Sequence, residues 1–289
     1  KKIINECIKF NLMRYQKDVR PSRLKKNTEE RKKNELINVY KNLIDLIKKN
    51  KKKKILFLNS GGFLNSSYII TKLLKTYKKN YYTFDSCPYG NDYAIWYCKN
   101  GIAGKLQDSR ASYDELNKDN YFKKNIFRSI ERKVLKEINL RRLNKDKFKF
   151  QKNSNLSKKL NIKNYVMITT NSGWDANSLG SNYLFKDYIE YLKKTLSYIN
   201  KNFPNMKIIV KEHPHKKKYF NQSSSLEKYL LKLKGENIIK IDSSYNFYDL
   251  IKNCKLLISI ASTTINEALI LGKPAISAGR DKYFYFDLN

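Results

Sequence analysis

The chain has 289 residues, with 60 Lys and Arg against 26 Asp and Glu, a formal net charge of +34, and 41% hydrophobic and 13% aromatic content. That length allows two domains of ordinary size, and so much apolar and aromatic residue excludes an intrinsically disordered chain. The charge invites a nucleic-acid partner, but lysine is scattered over nearly every predicted helix and turn, and no zinc-finger spacing, aromatic RNA-binding signature or Gly-Lys-Ser phosphate loop accompanies it.

In the first half, Asn34 to Lys49 carries an amphipathic helical pattern and Lys54 to Leu58 reads as a strand. Asn59-Ser60-Gly61-Gly62 is a turn, Ser66 to Tyr77 a helix, and Tyr81 to Phe84 a second strand ending in Asp85. Tyr121 to Leu143 reads as a long, strongly charged helix, and the polar stretch Asn144 to Lys159 as a linker. The second half is more regular. Tyr165 to Thr170 is a strand, followed by a helix over Tyr183 to Asn200 with Leu184, Tyr188, Leu192, Leu196 and Ile199 on one face. Phe203-Pro204-Asn205 breaks it before the strand Lys207 to Lys211. Leu226 to Leu233 is helical, with Gly235 as a C-cap glycine, and Asn237 to Ile241 is a strand. Tyr245 to Asn253 is a short helix and Leu256 to Ile260 a strand. Thr263 to Leu271 is a helix closed by Gly272, and Pro274 to Ser277 a last strand. Strands that are mostly continuous apolar runs, alternating with helices, predict a doubly wound parallel sheet. The expected architecture is α/β, with two Rossmann-like domains, residues 1–150 and 160–289, facing a cleft.

Candidate chemistry gathers at predicted strand ends, where open α/β sheets place their ligands. The only two histidines, His213 and His215, follow the strand that ends in Lys211-Glu212. Histidine is the side chain best suited to move a proton near neutral pH, although two polar residues opening a surface loop would read the same way. Ser259-Ile260-Ala261-Ser262-Thr263-Thr264 is a strand running into a helix with a hydroxyl-rich first turn, a combination that suits a phosphate or, more simply, an N-cap. Glu267, about one turn further on, points back toward a ribose hydroxyl pair or else faces solvent or the helix dipole. Asn171-Ser172-Gly173-Trp174-Asp175-Ala176 presents an aromatic and a carboxylate after another strand, where a core or capping role is as natural as a ligand role. Gly61-Gly62 lets backbone approach a ligand closely, and Asp85 stands where a general base could act.

Basic clusters at Lys48-Lys49 with Lys51 to Lys54, at Arg141-Arg142 and at Lys216 to Lys218 would attract anionic lipid or a polyanionic substrate. No dedicated nucleic-acid partner is expected. The four cysteines are widely spread without Cys-x-x-Cys spacing, which fits a reduced, cytoplasmic protein without a structural metal. No apolar run approaches the roughly 18 to 20 residues that span a bilayer, so contact with a membrane would be peripheral, at its inner face. No signal peptide is evident. The chain begins without Met and stops soon after a strand-like segment, as a fragment would.

Three motifs, in order and spacing, resemble the capsule polysaccharide biosynthesis family. Thr169-Thr170-Asn171-Ser172-Gly173-Trp174-Asp175-Ala176 looks like the start of its second domain. Lys211-Glu212-His213-Pro214 resembles its strand ending in His-Pro. Ser262-Thr263-Thr264-Ile265-Asn266-Glu267-Ala268-Leu269-Ile270-Leu271-Gly272-Lys273-Pro274 resembles its Ser/Thr-rich turn, Glu-Ala-Leu helix and Gly-Lys-Pro lead into a strand. The resemblance covers about residues 160 to 289, with weaker support at Leu58-Asn59-Ser60-Gly61-Gly62, where relatives carry Asn-Gly-Arg and this chain lacks the Arg. It implies a GT-B glycosyltransferase of capsule or surface polysaccharide, using a nucleotide-activated sugar, with CMP-linked donors among the candidates, and neither metal nor other cofactor. The closing C-terminal helices of such folds are not expected within this sequence. Lys211, His213 and the Ser262-Thr263-Thr264 helix start would receive the donor phosphate, Glu267 would hold the ribose, and Gly61-Gly62 would approach the ligand. Asp85, or failing it Asp175, would activate a hydroxyl of the glycan or glycolipid acceptor. Competing readings are a teichoic-acid-type CDP-glycerol or CDP-ribitol phosphotransferase, a nucleotide-sugar epimerase, and a non-catalytic basic nucleic-acid-binding module.

Overall fold

A computed structural model describes residues 2–16, 20, 26–50, 57–60, 65–86, 95–99, 124–145, 160–170, 184–213, 225–243, 245–260 and 262–278. The chain divides into two compact units, Lys1–Tyr121 with Trp174–Ser181 and Phe122–Gly173 with Asn182–Asn289.

The first unit holds α1 (Lys2–Gln16), α2 (Lys26–Lys49), β1 (Phe57–Ser60), α3 (Asn65–Thr76), β2 (Tyr81–Ser86) and β3 (Ile95–Lys99). The helical spacing of Ile4, Cys7 and Ile8, of Leu36, Leu43 and Ile47, and of Ile69 and Leu73 turns three apolar stripes into one core, which Tyr81 joins from β2. Burial pushes the Cys7 thiol up to about 11. β1 and β2 are parallel, as the sequence predicts, while β3 pairs antiparallel with β2. Neither α1 nor β3 is among the predicted elements. The strand Phe57–Ser60 takes in Asn59 and Ser60, which the sequence places in a turn; its predicted start at Lys54 lies outside the described residues.

The second unit begins with α4 (Lys124–Arg142) and continues through β4 (Tyr165–Thr169), α5 (Tyr188–Asn202), β5 (Ile208–Lys211), α6 (Ser225–Lys232) and β6 (Ile238–Ile241). It closes with α7 (Phe247–Ile251), β7 (Cys254–Ser259), α8 (Thr264–Ile270) and β8 (Ala275–Ser277). α4 lies within the 1–150 segment of the sequence reading but packs here, through Val134 and Ile138, against the core of the second unit. A charged amphipathic pattern says that a helix has an apolar face, not which core receives it.

The five strands run in the order β6-β5-β4-β7-β8, and every pair is parallel. Every residue of β4 and β5 is buried, which explains their unbroken apolar sequences Tyr-Val-Met-Ile-Thr and Ile-Ile-Val-Lys. On one face Met167, Ile209, Ile241 and Leu257 pack with Phe247, Tyr248 and Ile251 of α7, Ala268 of α8 and Ile138 of α4. Burying a side chain of this size contributes roughly 1.5–3 kcal/mol.

Local chemistry sets the helix ends. Asp187 caps α5, its carboxylate accepting from the Glu190 amide at 2.9 Å. Leu184 therefore precedes the helix and is 79% exposed, not part of its apolar face as the spacing suggested. Gly272 closes α8 at φ +69°, with its amide bonded to the Leu269 carbonyl and the Lys273 amide to that of Ala268, each at 2.9 Å. These are the two bonds of a Schellman cap. Gly235, also expected to cap a helix, does not take a left-handed conformation. It lies against Ile238 instead, whose Cδ1 would be 2.8 Å from an added Cβ.

Candidate functional site

Counted from β4, the strand order reads 3-2-1-4-5, so the connections reverse direction between β4 and β7. The crevice beyond the carboxyl ends of those two strands is where such sheets bind ligands. Side chains alternate along a strand, and two residues beyond Met167, Ile209 and Leu257 the core-facing positions become Thr169, Lys211 and Ser259. The apolar layer is therefore topped by a polar one.

Hydroxyls fill the centre of that polar layer. Thr169 Oγ1 donates to Ser259 Oγ at 2.8 Å and lies 3.2 Å from Thr264 Oγ1, which donates to Ser262 Oγ at 2.9 Å. The chain of four hydroxyls runs from buried strand ends to the start of α8. The Thr169 carbonyl accepts from Tyr188 of α5 at 3.0 Å, tying the same strand end to another helix. Thr263 occupies the N-cap position of α8 with αR backbone and no side-chain cap bond, and Ser262 Oγ accepts the Thr264 amide at a long 3.4 Å. The simple N-cap reading of Thr263 therefore fails, because its hydroxyl is not spent on the helix.

Glu267 faces neither solvent nor an unoccupied helix end. It is 3% exposed, and its Oε1 meets Arg141 Nη1 at 2.7 Å. Lys211 is 2% exposed, and its ammonium donates to the Glu212 carbonyl at 3.2 Å. Burial pulls its pKa down to about 8, while the charges of Asp242 and Glu212 hold it from falling further. The Glu212 amide bonds the Ile241 carbonyl at 2.9 Å, and the His213 amide bonds Thr170 Oγ1 at 3.0 Å. The strand end carrying His213 is therefore tied to both of its neighbours.

Of the residues singled out in the sequence, Lys211, His213, Ser262, Thr263, Thr264 and Glu267 all lie in the second unit at or next to the carboxyl edge of one sheet. Asp85 is in the first unit, inside β2 and in register with Trp96, since the strand runs on to Ser86. Gly61, Gly62, Asp175 and His215 lie outside the described residues. Three partners, Thr169, Ser259 and Arg141, stand in the quoted motifs and basic cluster but were given no role of their own at the site. The first two could have been found from the alternation of their strands. Arg141 follows Val134 and Ile138 at spacings of four and three, which puts it on the apolar stripe of α4 rather than in a surface cluster.

Among the described residues, no group of three or more His, Cys, Asp and Glu side chains is arranged to hold a metal. Nor is any of their helices long and apolar enough to cross a membrane.

Two solved structures, both from Thermosulfurimonas dismutans, are similar. KpsC, beta Kdo 2,4 transferase, shares 15% identity over 77% of this chain and 68% of its own, with a TM-score of 0.51. KpsC, beta Kdo 2,7 transferase, shares 20% identity over 83% of this chain and 69% of its own, with a TM-score of 0.46. The first likeness extends the α/β assignment to a shared fold. No curated protein sequence matches the chain. The sequence model of one family, described as capsule polysaccharide biosynthesis protein, matches residues 103–287, which include every strand and helix of the second unit. The chain belongs to the capsule polysaccharide biosynthesis protein family.

Proposed function

We propose that the chain is a GT-B-type glycosyltransferase of capsule or surface polysaccharide biosynthesis, moving a sugar from a nucleotide-activated donor to a glycan or lipid acceptor without a metal. The observation that carries this reading is the polar layer at the β4–β7 reversal, where Lys211 and the four hydroxyls top an apolar core at the start of the helix that carries Glu267. Membership of a capsule biosynthesis family supports it, and so does the fold shared with a beta Kdo 2,4 transferase. A CMP-linked donor is the first to try.

In this reading the hydroxyls of Ser262 and Thr263 donate to the donor phosphate, Thr264 supports Ser262 by donating to it, and Lys211 supplies positive charge from behind them. His213 donates to the phosphate oxygen as the bond to the anomeric carbon breaks. The acceptor oxygen bonds to that carbon while its proton passes to a carboxylate, assigned first to Asp85 and second to Asp175. Gly61 and Gly62 give backbone close to the ligand. Donors already in place where charge develops avoid reorganisation during the reaction, and losing one typically costs about 10²–10³ in kcat. His213→Ala is the direct test, because the bond from the His213 backbone amide to Thr170 Oγ1 is kept by the substitution. Turnover of a nucleotide-sugar donor should fall by about two orders of magnitude with far-UV circular dichroism unchanged. Unchanged turnover would remove His213 from the reaction.

A further inference from the structure

Arg141 and Glu267 are 126 residues apart in the chain and 2.7 Å apart in space. Both are buried, at 8% and 3% exposure. The arginine comes from a firmly seated helix end. Ile138, one turn earlier, is in the core of the second unit, and the Arg142 carbonyl accepts from Asn246 Nδ2 at 3.0 Å. Asn246 in turn caps α7. The glutamate is seated as well, since its neighbour Ala268 is fully buried in the same core. A guanidinium is planar, permanently charged and directional, so a carboxylate bound to it is held in one orientation. A buried ion pair of this kind adds little stability beyond what apolar side chains of the same volume would give. Its specific effect is on where the carboxylate stands, about one turn into the helix that follows β7.

We propose that Arg141 is a positioning residue for nucleotide recognition: by fixing the Glu267 carboxylate it makes the site select ribose over 2′-deoxyribose. This rests on the reading of Glu267 as the ribose ligand. Arg141 does not touch the nucleotide, and neither its helix nor its charge cluster would otherwise mark it as part of the site.

The test is calorimetric titration of CMP, UDP, GDP and CDP, each beside its 2′-deoxy form, into the wild-type chain and Arg141→Met. Wild type should favour the ribose form by on the order of tenfold, the worth of one hydrogen bond to a charged acceptor. In Arg141→Met that preference should collapse while the affinity for the deoxy form stays within about twofold, because only the oriented bond is lost. Circular dichroism verifies folding, and Arg141→Gln, which keeps an N–H donor for the buried carboxylate, serves with the same outcomes if the Met variant is unfolded. An unchanged preference in a folded variant overturns the proposal. So does an equal loss for both sugars, which would mark Arg141 as part of the scaffold only. If wild type binds nucleotides without preferring ribose, Glu267 is not the ribose ligand and the proposal falls with it, while the nucleotide-donor reading stands. If wild type binds none of them, both fall.

Discussion

Replacing Lys211 with Met should stabilise the protein at neutral pH and weaken its hold on nucleotides. The ammonium is 2% exposed and, among the described residues, has one hydrogen-bond acceptor, the Glu212 carbonyl, for three N–H donors. Burial lowers its pKa from 10.5 to about 8 even with Asp242 and Glu212 opposing the shift. At about 1.4 kcal/mol per pKa unit, burying the charge costs the folded state roughly 3 kcal/mol. Losing the bond to the Glu212 carbonyl returns about 1 kcal/mol of that, so the net gain at pH 7 is roughly 2 kcal/mol. The sign with pH follows from linkage. Below about 8 both the folded and unfolded chains carry the proton, and the folded chain bears the full cost. Between about 8 and 10.5 the unfolded chain holds more protons, so wild-type stability rises with pH and the gap to Lys211→Met closes. Urea unfolding of both proteins at pH 7 and pH 10, followed by circular dichroism, measures the gap at each pH. A Met variant less stable than wild type at pH 7, with the same gap at pH 10, would refute the reasoning. A destabilising cation at a strand end has its rationale in the site, so nucleotide affinity should drop in the same variant that gains stability.

Two further substitutions probe the frame that holds the site. Thr169→Val keeps shape but removes the hydroxyl that joins Ser259 and Thr264, and should cost about 1–3 kcal/mol in urea unfolding, because buried hydroxyls lose a partner; a neutral result would mean the network is incidental. Gly272→Ala meets no atom within 4 Å, so its penalty is the backbone conformation alone at φ +69°. About 1 kcal/mol, or a melting temperature lower by about 2–4 °C, is expected, and no change would dissociate the helix cap from stability.

The second unit was legible because its central strands β4 and β5 are buried on both faces. β4 and β5 have no polar residue to mislead until Thr169 and Lys211, and Gly272 marks its helix end by the one backbone conformation glycine favours. The first unit was read less completely. α1 is capped by no turn signal, and β3 pairs antiparallel with a strand that a βαβ pattern would pair only in parallel. At the site, motif order located His213, Ser262 and Glu267, since each follows a strand that the apolar pattern already defines. Arg141 remained hidden, because a partner 126 residues away leaves no local trace except a charge on an apolar stripe. Glu267 shows the limit in another way. Its position on the helix admitted a solvent-facing role, and its burial and its contact with Arg141 show that the helix turns this residue inward.

The central claim is that the polar layer at the β4–β7 reversal binds the nucleotide of an activated sugar. Titrating CMP, UDP, GDP and CDP into the wild-type chain in turn tests it most directly. At least one should bind with a dissociation constant within about 1 μM to 1 mM, the range of ordinary enzyme substrates. The same nucleotide should bind more weakly to Lys211→Met. Failure of all four to bind would contradict the account.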